Sequence, residues 1–207
     1  MTDSHFGFAL FDTAIGQCSI VWNERGVVRT QLPEGNAHTA RDRIARRYPA
    51  ARETTPPEDV KRAIDGVVAL LRGEPADLNG VKIDTAGMPD FDRQVYEIAR
   101  TIPAGSTLTY GEIAQRLGDR NLARDVGTAL GQNPIPIIVP CHRVLAADGR
   151  LGGFSAPGGV GTKARLLTIE GAQPGGPTLF EDLPLTAPRR SRHGPPRRRD
   201  PRRSATT

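Results

Sequence analysis

Three prolines within seven residues constrain this chain more than any other feature. They fence the apolar run Ile137, Ile138 and Val139 in the segment Asn133-Pro134-Ile135-Pro136-Ile137-Ile138-Val139-Pro140-Cys141-His142-Arg143-Val144-Leu145. Such a run is expected to carry Cys141 into the interior on a stiff, extended backbone. Burial by itself raises a thiol's pKa, so a reactive cysteine there needs a base and a source of positive potential close by. His142 and Arg143 follow at once. Consecutive side chains of an extended segment face opposite ways, so His142 can reach Cys141 only through a sharp turn or a bridging water; we expect the water.

With 207 residues the chain has room for one or two cored domains. Its formal charge of +5 lies at one end. From Gln173 onward eight Arg stand against Glu181, Asp182 and Asp200, which accounts for the whole excess and leaves residues 1–172 with 20 basic and 20 acidic side chains. Nucleic-acid binding by the neutral part must come from local arrangement of charge, whereas the tail could add a sequence-independent, salt-sensitive attraction to phosphate. Seven prolines without periodicity mark residues 173–207 as a disordered tail, either a solubilising segment or a tethering arm. Two cysteines build no disulfide framework, and no secretory or membrane-spanning stretch is present, which fits a reducing cytoplasm.

Short β-like runs at Phe6 to Phe11, Gln17 to Trp22 and Val27 to Gln31, separated by turn residues, predict an antiparallel meander. Helices are expected at His38 to Tyr48 and at Asp59 to Leu71, and a returning strand at Val81 to Asp84. Cys18 reads as a small buried hydrophobe, and Arg41, Arg43, Arg46 and Arg47 read as a solvated helix face ahead of a DNA patch.

Pro89-Asp90 opens a helix with Phe91, Val95, Ile98 and Ile102 at helical spacing. Thr109-x-x-Glu112 is a capping box for a helix from Tyr110 to Leu117, and a third helix runs from Leu122 to Gly131. Two short helices joined by a tight turn form a helix-turn-helix pattern, whose second helix usually approaches DNA. Arg124 projects from the side opposite Leu122 and Val126; alone it is one more exposed arginine, but the cysteine segment downstream turns the reading toward DNA. Tyr110 falls on the core stripe with Ile113, so a packing role competes with a chemical one. A glycine-rich loop from Ala146 to Thr162 precedes a last helix, Lys163 to Ile169, which delivers Glu170.

Taken in order, Thr109-Tyr110-Gly111-Glu112-Ile113-Ala114, Ala123-Arg124-Asp125-Val126-Gly127, Asn133-Pro134, Pro140-Cys141-His142-Arg143-Val144 and Glu170-Gly171 closely resemble the O6-alkylguanine-DNA alkyltransferases, the methylated-DNA–protein-cysteine methyltransferases. The resemblance covers Phe91 to Gly171; the N-terminal third fits in layout only. It implies an α+β fold: a small N-terminal α/β domain (1–88), ribonuclease-H-like without that activity, then a mostly helical domain (89–172) with the helix-turn-helix and the cysteine site. It also implies irreversible, single-turnover transfer of an alkyl group from O6 of guanine, with O4 of thymine left open, to Cys141. His142 would draw the thiol proton through water, Glu170 would hold the far imidazole nitrogen, and Tyr110 would protonate the departing guanine. Arg124 would fill the space left by the extruded base, with Thr109, Ala123 and Gly127 beside it on DNA. Asn133 would tie down the cysteine turn, Val144 would read the guanine edge, Ser155 would donate toward O6, and Pro136 and Phe154 would wall the alkyl pocket.

Some relatives carry zinc in the N-terminal domain, but that ligand set is missing, so neither metal nor cofactor is expected. The expected partner is double-stranded DNA containing O6-alkylguanine, bound by a monomer and without a membrane. Two departures stand out: Asp125 at a position usually small and apolar, and a 155–163 loop a couple of residues longer than usual. Three other readings compete. Binding-only relatives carry Trp where Cys141 stands; a cysteine hydrolase would turn over repeatedly; and a helix-turn-helix regulator would need a metal-binding sensor domain that is absent.

Overall fold

The computed structural model describes residues 5–172; the arginine-rich stretch from Gln173, with any tethering role, lies outside them. The first three runs form the meander that their turn residues predict: β1 (Gly7–Thr13), β2 (Gly16–Asn23) and β3 (Gly26–Gln31). A two-residue strand, β4 (Arg52–Glu53), joins β1 in parallel, giving the order β3-β2-β1-β4. Both residues of β4 are exposed, so no apolar alternation announces it.

The strand expected at Val81 to Asp84 is instead an isolated bridge between Val27 and Ile83. Asp84 explains why pairing stops there: its carboxylate accepts from Asn23 Nδ2 at 2.7 Å, Arg25 at 2.9 Å and the Ala86 amide at 2.9 Å, turning the chain away from the sheet. The approach also requires glycine at position 26, with φ +138°, because a Cβ there would lie 2.5 Å from the Lys82 carbonyl oxygen.

Helix α1 (Ala37–Arg47), capped by the Asn36 side chain, buries only Ile44. Arg41 pairs with Glu53 and Arg43 with Glu34, so much of its basic face is neutralised locally. Helix α2 (Glu58–Leu71) buries Val60, Ala63, Val67, Leu70 and Leu71, each large side chain contributing roughly 1.5–3 kcal/mol. Helix α3 (Asp90–Arg100) buries Val95, Tyr96 and Ala99, leaving Ile98 only partly covered. Tyr96 Oη donates to the Ala129 carbonyl at 2.9 Å, tying α3 to the helix that follows the turn.

One apolar cluster runs from Ile20 and Trp22 through Val67 to Val95, Ile113, Val126, Ile138 and Val139, so the core is continuous past Met88. Strand β3 also bonds directly to the proline-rich segment, Thr30 N–H to Pro134 O at 3.1 Å and Thr30 Oγ1 to Pro136 O at 2.7 Å. A second, parallel pair, β5 (Leu108–Thr109) and β6 (Val144–Leu145), sets the start of α4 (Tyr110–Arg116) beside the residues just after Cys141. A 3₁₀ turn (Arg120–Leu122) leads into α5 (Ala123–Gly131). The last helix, α6 (Gly159–Ile169), begins four residues ahead of the expected Lys163, because Gly158 in the left-handed region (φ +80°) starts it within the glycine-rich loop. Among the described residues no helix is long and apolar enough to cross a membrane.

Candidate active site

The prolines do not hold the cysteine segment extended. Pro136 to Val139 is a tight turn in which the Val139 amide donates to Ile135 O at 2.9 Å, and Ile137 sits at φ +75°. That region costs a β-branched residue on the order of 1–3 kcal/mol, so the surroundings must impose it. Asn133 does so in part: its Nδ2 donates to Val139 O and its Oδ1 accepts from the Ile135 amide, both at 2.9 Å. Cys141–Arg143 then form a single 3₁₀ turn, with Arg143 N–H to Pro140 O at 2.9 Å. The expectation of an extended segment is therefore corrected. Proline's fixed φ suits the first residue of a helical turn as well as a strand, and the sequence pattern could not separate the two.

His142 is fully buried, and its Nε2 lies 2.9 Å from Glu170 Oε1. Arg143 clamps the same carboxylate with two further bonds of 2.9 Å and donates to Ile102 O. Burial pushes the Glu170 carboxyl up, but the bonds from His142 and Arg143 outweigh it and hold the pKa at about 2. Burial pushes the His142 pKa down against the pull of Glu170, so the imidazole is neutral at neutral pH. Facing an ionised carboxylate, Nε2 carries the proton and donates it, which leaves Nδ1 as the basic nitrogen. Nδ1 is buried and has no hydrogen-bond partner among the described protein groups. It is the atom placed to accept a proton.

The cation acting on the sulfur is not Arg143, which is spent on Glu170, but Lys163. Lys163 is fully buried, its Nζ donating to Val144 O at 2.5 Å and lying 5.7 Å from the Tyr110 ring centroid. Burial pushes its pKa down to about 8, with the Cys141 charge pulling it back up. Burial likewise raises the Cys141 thiol, against which the Asn133 amide and the Lys163 ammonium pull it down. We expect Lys163→Met to move the pH midpoint of Cys141 alkylation by iodoacetamide upward, since the charge supporting the thiolate is gone; an unmoved midpoint would show that the ammonium does not act on the sulfur.

Tyr110, the first residue of α4, is half-buried and faces the sulfur electrostatically: burial and then the Cys141 charge raise its pKa, so it stays a protonated donor. Position 152, with φ +64°, passes so close that a Cβ would sit 3.2 Å from Tyr110 Oη, and glycine leaves the hydroxyl clear. Thr109 caps α4 through a full capping box with Glu112.

Cys141 forms part of the wall of a cavity of about 1080 Å³ that opens along α4 and α5. Thr109, Tyr110, Ala123, Arg124, Gly127, Phe154 and Ser155 line it. Arg124 and Asp125 are exposed, as the helical spacing predicts. Asn133, Pro136, Phe154 and Ser155 line a second, smaller cavity that also reaches Cys141. Val144 is buried, its carbonyl engaged by Lys163. Glu170 does not reach the large cavity; it touches the site only through His142 and Arg143.

A buried thiol followed in the chain by a neutral imidazole held by an ionised carboxylate, in the wall of a cavity along two short helices with exposed arginines, defines the class of cysteine-dependent group-transfer proteins. Comparison with known proteins agrees. The family described as "6-O-methylguanine DNA methyltransferase, DNA binding domain" matches residues 90–172. A methylated-DNA–protein-cysteine methyltransferase of Methanothermobacter thermautotrophicus is 36% identical over 152 residues, 73% of this chain and 78% of that protein. That of Mycobacterium tuberculosis is 43% identical over 129 residues, 62% of this chain and 76% of its own length. The crystal structure of M. tuberculosis OGT in complex with DNA matches with a TM-score of 0.62 at 34% identity, covering 80% of this chain and 92% of that one. The chain belongs to the O6-methylguanine DNA methyltransferase family, the methylated-DNA–protein-cysteine methyltransferases.

Proposed function

We propose that this chain repairs O6-alkylguanine in duplex DNA by taking the alkyl group onto Cys141, once per molecule. The observation that carries the reading is the position of Cys141: buried, next to the His142–Glu170 pair, and in the wall of the cavity along α4 and α5. Residues 1–88 serve as scaffold, whose β3-β2-β1-β4 order with parallel β4 supports a ribonuclease-H-like layout, and residues 89–172 carry DNA binding and transfer.

The base must leave the stack, at a cost of a few kcal/mol, and Arg124 at the exposed start of α5 holds the vacated space, beside Thr109, Ala123 and Gly127. His142 Nδ1 takes the thiol proton through a bridging water. The thiolate attacks the O6-bound carbon, the C–O electron pair passes to guanine, and Tyr110 supplies the proton that guanine gains. Lys163 holds the negative charge on sulfur before the attack, when it matters most. Ser155 donates toward O6 and Val144 O uses its second lone pair on the guanine edge. A thioether is not hydrolysed by this machinery, so nothing regenerates the thiol.

Intact mass after exposure to a duplex with O6-methylguanine should show one added methyl per molecule, mapped to the Cys141 peptide. Product beyond one equivalent would sink the proposal. Arg124→Ala should slow transfer from the duplex by at least about tenfold more than transfer from free O6-benzylguanine; equal losses in both assays would remove Arg124 from base extrusion.

A further inference from the structure

The second cavity, about 320 Å³, lies between β3 and the cysteine turn, and Cys141, Phe154 and Ser155 line both it and the large cavity. At the sulfur the large cavity thus adjoins a further space with room for roughly ten water-sized groups. A methyl group leaves that space unused. Its far wall is contributed by the N-terminal third, and there the chemistry is ionic. Arg29 of β3 lines the cavity, half-buried, with an Nε that is buried and has no hydrogen-bond partner among the described residues. Among the described residues Glu34 is the only acidic residue in the lining, and Arg43, also in the lining, is paired with it. Among the described residues that leaves Arg29 as the uncommitted charge of the lining.

We propose that this cavity is a subsite for O6-alkyl chains several atoms long that end in a carboxylate, with Arg29 as the residue that reads the carboxylate. This rests on Cys141 being the alkyl acceptor and adds to it which adducts the chain favours. The covalent step is the same in kind: the Cys141 sulfur bonds to the O6-bound methylene, the C–O bond breaks with its pair going to O6, guanine gains the Tyr110 proton, and the thiol's proton, taken by His142, replaces it. The carboxylate stays on the transferred chain, beside the Arg29 guanidinium, where the fork geometry suits two parallel hydrogen bonds.

The test uses the full chain and duplexes carrying O6-methyl-, O6-butyl- or O6-(3-carboxypropyl)guanine, with single-turnover rates read by intact mass. The native chain should transfer carboxypropyl at least as fast as butyl. Arg29→Met, which keeps the stem of the side chain, should lower the carboxypropyl-to-butyl ratio about tenfold or more, the loss of one charge-assisted hydrogen bond, while methyl transfer holds; Arg29→Lys should restore part of it. If the ratio stays at its native value in Arg29→Met, or all three adducts slow together, the subsite is refuted. If the native chain transfers no methyl at all, it is the assignment of Cys141 that fails, and the subsite with it.

Discussion

A Cys141→Ala protein is expected to bind duplexes containing O6-methylguanine with near-native affinity and to remove no methyl group from them. Under the proposed mechanism the sulfur forms the new bond: His142 is buried with one nitrogen committed to Glu170, Tyr110 is held protonated by burial, and Lys163 Nζ is held on Val144 O. Removing it should return transfer to the uncatalysed level, as loss of a nucleophile does elsewhere. Binding should survive, since Cys141 is 7% exposed and the arginines facing the cavity lie on other elements. Cys18 provides the matching control. It sits in β2 at 4% exposure, with burial raising its thiol to about 11, so Cys18→Ala should cost about 1 kcal/mol of stability and leave transfer intact. Methyl found on the Cys141→Ala chain, or transfer lost in Cys18→Ala, would reverse the assignment.

Local signals and long-range packing were unequally legible in the sequence. The meander, α2, the capping box on α4 and the exposed side of α5 follow from alternation, helical spacing and short-range hydrogen bonds, and the structure repeats them within a residue or two. Elements without local cause were not legible. The two residues of β4 are charged and exposed, and only the edge of β1 makes them a strand. Asp84 ends a strand-like run through partners some 60 residues away. Among the candidate site residues, Cys141 and His142 stand out by type and Glu170 through the family resemblance, whereas Lys163 does neither. Lysine is almost never fully buried, so nothing local says that this one points inward; only the end of the glycine loop and the packing of α6 place it under Val144. The Ile137 turn is hidden for a related reason: a β-branched residue gives no hint of left-handed backbone, and the Asn133 bonds together with the Val139 to Ile135 bond hold it there.

Replacing Glu170 should have the largest effect on stability and a comparable one on chemistry. Its side chain is 1% exposed and accepts from both His142 and Arg143. Glu170→Gln leaves the buried Arg143 guanidinium without its counter-charge, a change that typically costs about 3–5 kcal/mol. It also removes the acceptor that fixes the His142 tautomer, so transfer should slow by on the order of a hundredfold or more. The pH dependence separates these effects from general damage. A folded pKa of about 2 against an ordinary 4.5 means that the ionised Glu170 contributes about 3 kcal/mol at any pH above 4.5. That contribution is lost as pH falls through 4.5 toward 2, so the gap in Tm between native and Glu170→Gln proteins should narrow over the same window. The double variant Arg143→Met with Glu170→Met removes both charges at once; it should recover much of the stability yet none of the transfer rate, because His142 remains without its carboxylate. A double variant that transferred methyl at the native rate would show that the His142–Glu170 pair supports the fold and not the thiolate.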